Sequence, residues 1–233
     1  MKQTEEALQA ELIKNYWELT PDNRFLSMFS GGKDSGLAFA IATSQAQPVA
    51  LIHILENEKA LYHGQSRSLV EAQASAMGVS VFYMPYKWWN NWETARHDLI
   101  NLHNLKADSI VFGDIRLKYI FLGDIPLSQQ TGYKPCLPLG GKRYDQLMDL
   151  IEEHRLISLI TRINSPLIRP ELLGLPFTRE VFLEFSSLNI DPFGELDEFH
   201  TTLVDADCFS QPLRYRLVRR SDRFAEVFIE ETP

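Results

Sequence analysis

Apolar and polar residues fall in blocks along the first half of the chain. Phe25–Phe29, Pro48–Leu55, Val79–Met84 and Ser109–Phe112 are short, nearly continuous apolar runs. Such runs predict strands buried on both faces. Between them, Ser35–Ser44 is small and apolar, and Gln65–Met77 and Asn91–Leu105 carry helical spacing. Gly78 predicts the end of the helix before the third strand. At the start of the chain, Leu8, Leu12, Tyr16 and Leu19 form one stripe, predicting a helix over Glu5–Leu19 that Pro21-Asp22-Asn23 stops. The order β-α-β-α-β-α-β predicts an α/β fold, a doubly wound parallel sheet of Rossmann-like form with helices on both faces. In such sheets ligands bind beyond the carboxyl ends of the strands. Four loops then share one rim: Ser30–Ser35, Glu56–His63, Tyr86–Trp89 and Gly113-Asp114.

The second half is less regular. Ile115–Gln130 is weakly helical with a break near Gly123–Pro126, and Pro135–Leu139 is short and extended. Tyr144–His154 predicts a helix and Leu156–Ile163 a fifth strand. After Asn164-Ser165-Pro166 the texture changes. Pro166, Pro170 and Pro176 cut the chain into short helices, and Thr202–Asp205, Leu213–Arg219 and Ala225–Glu230 predict antiparallel strands. We expect one domain over residues 1–165 and a small C-terminal α+β subdomain over 166–233.

The stretch SGGKDS, Ser30 to Ser35, joins the first strand to the first helix. Adjacent glycines let backbone N–H groups turn inward, and the helix start adds unpaired N–H groups and a positive dipole end. That is a receptor for phosphates, to which Lys33 adds a full charge. Asp34 would repel a bare phosphate, and makes sense if Mg²⁺ sits between them. The spacing is not that of the common P-loop, GxxxxGK followed by Ser or Thr. It resembles the SGGxDS signature of the PP-loop ATP pyrophosphatases, which cut ATP between its α and β phosphates.

Composition narrows the classes. The chain has 233 residues, is 45% hydrophobic and 23% charged, and carries a net charge of −8. The negative balance argues against broad nucleic-acid binding, which needs a basic face. Arg214, Arg216, Arg219, Arg220 and Arg223 form a local exception, read as the solvated face of a terminal hairpin. No apolar run is long enough for a membrane span, and the polar, acidic start lacks the form of a signal peptide. Cys136 and Cys208 are far apart, with no CxxC, and read as small core residues in a reducing, cytoplasmic setting.

The tail carries a second signal. Glu195, Asp197, Glu198 and His200 fall within six residues ahead of a strand. A carboxylate and an imidazole there can share a proton or a metal-bound water; a solvated acidic turn is the plainer reading. Taken in order, SGGKDS at 30–35, GDI at 113–115, LPLGG at 137–141, LLG at 172–174 and GELDEFHT at 194–201 resemble the diphthine–ammonia ligase family. The resemblance runs from about residue 24 to 215. The family's PLWG is Pro138-Leu139-Gly140-Gly141 here, Leu196-Asp197 replaces its usual Asn-Gly, and the helix after GDI carries Phe121 and Ile125 near its usual Arg and Glu.

The resemblance implies an AMP-forming ligase that adenylates a carboxylate and amidates it with ammonium. Its partners would be ATP, Mg²⁺, ammonium and a carboxylate acceptor, on a protein side chain in that family. Ser30, Gly31, Gly32, Lys33 and Ser35 would hold the phosphates, Asp34 would orient Mg²⁺, and Gly113 and Asp114 would line the nucleotide. Lys33 and Asp34 would act in catalysis, with Glu198 and His200 facing the acceptor or the ammonia. Two alternatives stay open: a nucleotide-binding regulatory module without turnover, and a PP-loop enzyme with another small-molecule or RNA acceptor. On the rim, His63 reads as structural or as a site residue. Trp88, Trp89 and Trp92 read as a lid anchor or as a stacking surface for a base.

Overall fold

The computed structural model describes residues 7, 14–55, 65–85 and 92–230. Most of the helix expected over Glu5–Leu19 lies outside the described residues, although residues 14–16 are helical. The rim loop Glu56–His63, with His63, and the loop carrying Trp88 and Trp89 also lie outside them.

Five parallel strands form the main sheet in the order β3-β2-β1-β4-β5. They are β1 (Arg24–Met28), β2 (Gln47–Leu55), β3 (Ser80–Pro85), β4 (Ser109–Val111) and β5 (Lys134–Cys136). The expected doubly wound fold is the one observed. Its strands alternate between two cores. Phe25, Leu51 and Val111 face one side, and Leu26, Ile52 and Ile110 the other. The first side is covered by α1 (Lys33–Thr43), α2 (Arg67–Ala76) and α5 (Tyr144–Glu153). The second is covered by α3 (Trp92–Asn101), the π-helical turn Ile120–Asp124 and α4 (Ile125–Thr131). Gly78 follows α2 at φ +72°, a left-handed conformation that glycine adopts without steric cost.

One strand lies elsewhere than expected. β6 (Ile157–Ile163) does not extend the parallel sheet. It pairs antiparallel with β7 (Phe199–Asp205), while β5 is the fifth parallel strand. Periodicity identifies a strand but not its partner; only the long-range register decides that. The β6-β7 pair packs on the α1 face, where Ile160, Phe177, Phe185, Phe199 and Leu203 join the first core. Between the two strands lies α6 (Arg179–Ser186), and the chain closes with the hairpin β8 (Tyr215–Arg219) and β9 (Ala225–Ile229). Two arginines tie this hairpin to the body: Arg223 donates to the carbonyls of Ser165 and Ile168 and Arg219 to that of Pro170, while Arg220 pairs with Glu226 within the hairpin. Among the described residues, no helix is long and apolar enough to cross a membrane.

Candidate functional site

The glycine loop opens into a cavity of about 410 Å³ at the carboxyl ends of β1, β2 and β4. This is where strand order reverses around β1 and β4, the usual crevice of such sheets. Ser30, Gly32, Lys33, Asp34 and Ser35 line it from the loop, and Gly113 and Asp114 from the end of β4. Glu195, Asp197, His200 and Thr201 line it from the tail. The fold therefore brings together most of the residues singled out by sequence.

Local geometry explains the loop. Gly31 sits at φ +86°, closed to most side chains, and its carbonyl accepts from Leu203 N at 2.8 Å and Gln73 Nε2 at 3.1 Å. Ser30 and Ser35 hydroxyls lie 3.1 Å apart, and Ser35 Oγ also accepts from Ser30 N. Gly32 caps α1 without a side-chain bond of its own. Thr201 supplies the missing acceptor: its Oγ1 takes the N–H of Lys33 at 3.0 Å. The N–H groups of Asp34 and Ser35 meet no protein acceptor among the described residues, which leaves them for an anion. Gly113 makes the crevice narrow. A Cβ there would lie 2.9 Å from Ser35 Cα and N, against backbone that cannot yield.

The acidic side chains are mutually strained. Burial and the nearby Asp34 charge push Asp114 up to about 6. Asp124, presented by the π-helical turn, is pushed well above the carboxylate range by burial and by Asp114, to which it is hydrogen-bonded, so it keeps the pair's proton. Glu195 is raised to about 8 by burial, then by Asp34, with Lys33 opposing. Asp34 Oδ1 is buried without a hydrogen-bond partner. An orphaned carboxylate oxygen among like charges fits a cation. Among the described residues, however, no three Asp, Glu, His or Cys side chains converge to hold one unaided. That suits Mg²⁺, which is commonly held by one or two carboxylates together with phosphate oxygens.

Two expected residues are placed differently. Lys33 is only 5% exposed, and its ammonium donates to Asp34 Oδ2 at 2.7 Å and to the Phe193 carbonyl at 2.6 Å. Glu198 does not line the cavity. Its Oε1 accepts from Asp191 N at 2.8 Å and its Oε2 from Leu196 N at 3.0 Å, so the carboxylate braces the tail loop. Glu195, three residues earlier, takes the cavity wall instead. His200 is at the cavity, with Nε2 2.7 Å from Asp197 Oδ1, and burial lowers its pKa.

The sequence places Glu195 in the acidic tail run without a role of its own, and gives no role to Thr201 or His53. The first two belong to the GELDEFHT run. His53 interrupts an apolar strand near its carboxyl end, which was its signal. It is fully buried, donates from Nδ1 to the Phe29 carbonyl at 2.7 Å, and burial pulls it down to about 4, so the ring is neutral. The cysteines are inert: burial pushes both thiols up to about 12.

Among curated proteins, none matches the chain. Two solved structures are similar over part of it. One is the U34-tRNA thiolase NcsA from Methanococcus maripaludis with its 4Fe–4S cluster, at 14% identity and a TM-score of 0.39, covering 65% of this chain. The chain spans 64% of that thiolase's length. The other is a predicted subunit of a tRNA methyltransferase from Methanocaldococcus jannaschii, at 20% identity and a TM-score of 0.44, covering 79% of this chain and 97% of that one. Residues 23–121, which hold the glycine loop and the β4 end of the cavity, match the family model of the diphthamide synthase N-terminal domain.

Proposed function

We propose that the protein is an ATP-dependent ligase that forms AMP and pyrophosphate, adenylating a carboxylate and amidating it with ammonia. One observation carries the reading: an anion-binding helix start and a group of strained carboxylates face each other across one cavity. A phosphate chain with its cation satisfies both.

In this reading Ser30, Gly31, Gly32 and Ser35 cradle the phosphates, and Gly113 and Asp114 line the nucleotide. Asp34 and Asp114 are the side chains that would hold Mg²⁺, which supplies charge neutralisation on the leaving pyrophosphate. A carboxylate oxygen of the acceptor attacks the α-phosphorus as the bond to the β-phosphate oxygen breaks. Ammonia then attacks the acyl carbon, AMP leaves, and the amide remains. The N–H groups of Asp34 and Ser35 stabilise charge on the departing group without reorganising. Ammonium must lose a proton before it attacks. His200, held toward the neutral form by burial, stands at the tail wall where that proton would go.

The test is turnover with ATP, Mg²⁺, ammonium and candidate carboxylates, including protein side chains. AMP and pyrophosphate are expected. Release of ADP would overturn α–β cleavage. ATP binding with no AMP from any acceptor would leave a regulatory nucleotide-binding module.

A further inference from the structure

We infer that Lys33 is a positioning residue: its ammonium stays in a cage of tail aromatics and orients Asp34, and does not bind phosphate. This rests on the ATP reading above. The Nζ lies 5.0 Å from the ring centre of Phe193, 5.5 Å from Phe199 and 5.7 Å from Phe177. Three aromatic faces around one ammonium are an attractive electrostatic environment. Two of its three protons have acceptors, Asp34 Oδ2 and the Phe193 carbonyl. Leaving the cage for a phosphate would cost the side chain those two bonds and the ring contacts.

The cage belongs to this chain's long-range fold. Phe193 and Phe199 bracket the run Gly194–Glu198, and Phe177 precedes α6. Phe193 also stacks on Tyr144 at 4.8 Å, and Phe177 packs on Phe185 and Phe199, so the rings hold one another. Lys33 therefore fastens the glycine loop to the tail segment that carries Glu195 and His200. Its bond to Oδ2 fixes the Asp34 carboxylate, and Oδ1 is the oxygen left for a ligand. The charge at this loop position reads in sequence as a phosphate contact and in the fold as a clasp.

The decisive experiment uses the wild-type protein with labelled lysine, and Lys33→Met to identify the Lys33 signal. Ring currents shift the Lys33 ε-methylene protons upfield. We expect that shift to persist when ATP saturates the site, with and without Mg²⁺. Its return to the ordinary lysine range on adding ATP would overturn the inference. In EDTA, Lys33→Met is expected to bind ATP and AMP each within about threefold of wild type. A phosphate ligand would instead lose about ten- to hundredfold for ATP alone. During turnover the variant should lose about tenfold or more in kcat with KM for ATP nearly unchanged, as expected when a group acting in the transition state is misplaced. An unchanged kcat would reduce Lys33 to a packing role. If the wild type binds ATP but never forms AMP, the ligase reading fails while the proton shift and the binding comparison still decide the place of Lys33.

Discussion

Thr201 Oγ1 accepts a hydrogen bond from the backbone N–H of Lys33, 168 residues earlier, at 3.0 Å. A side chain from the last third of the chain thus serves as the cap that Gly32 lacks at the start of α1. The same strand sends Leu203 N to the Gly31 carbonyl at 2.8 Å. The glycine loop is built by the tail as much as by its own sequence.

Replacing Thr201 by valine keeps the shape and removes the acceptor. Lost helix caps cost about 0.5–2 kcal/mol. Urea unfolding of Thr201→Val should give a loss in that range, with weaker binding of pyrophosphate. Thr201→Ser should recover both; failure of the serine variant to recover stability would remove the hydroxyl from the account.

Gly113→Ala should damage the site more than its size suggests. The new methyl meets the backbone of Ser35 and Asp34 at 2.9–3.0 Å, and neither can move without opening the crevice. Overpacking typically costs about 1–3 kcal/mol. A thermal-shift assay should show a lowered midpoint, and ATP titration a loss of affinity. A Gly78→Ala control should leave ATP affinity unchanged: no atom lies within 4 Å of its Cβ, so only its left-handed backbone is strained.

Glu195→Gln should change the pH dependence of stability. Burial and Asp34 raise the Glu195 carboxyl from 4.5 to about 8 in the folded protein. The stability linked to its protonation is fully present below about 4.5 and is lost as pH rises toward 8. The neutral glutamine does not bear that loss. The variant should gain on wild type progressively across this window, by an amount on the order of 1 kcal/mol or more after allowing for partial exposure. Melting temperatures from pH 4.5 to 8.5 provide the check; a difference that stays flat would mean Glu195 is solvated.

Glu198→Ala should loosen the loop before β7. Its carboxylate holds the part-buried N–H of Asp191 and the exposed N–H of Leu196, and losing a hydrogen bond to a charged group costs about 1.5–3 kcal/mol when buried and less where water can replace it. Limited proteolysis should cut the variant within residues 191–198 faster than wild type. If Glu198→Ala instead left the loop intact and abolished AMP formation alone, Glu198 would return to the reaction as first expected.

The sequence by itself determined the sheet and the loop. Short apolar runs alternating with helices dictate strands buried on both faces, and their order places the loops that follow the first four strands on one rim. Gly31, Asp34 and Gly113 were legible because backbone freedom and local charge are properties of neighbouring residues. Only the tertiary structure decided what the tail does. Glu195 and Glu198 are both acids of one short motif, and nothing local separates them. The fold brings two backbone donors to Glu198 and four charged neighbours to Glu195. β6 chose β7 over the parallel sheet for the same reason, since pairing depends on register between distant segments. Lys33 is the clearest case. Its place beside two glycines reads as a phosphate contact, yet Phe177, Phe193 and Phe199, brought from more than 140 residues away, compete for the same charge.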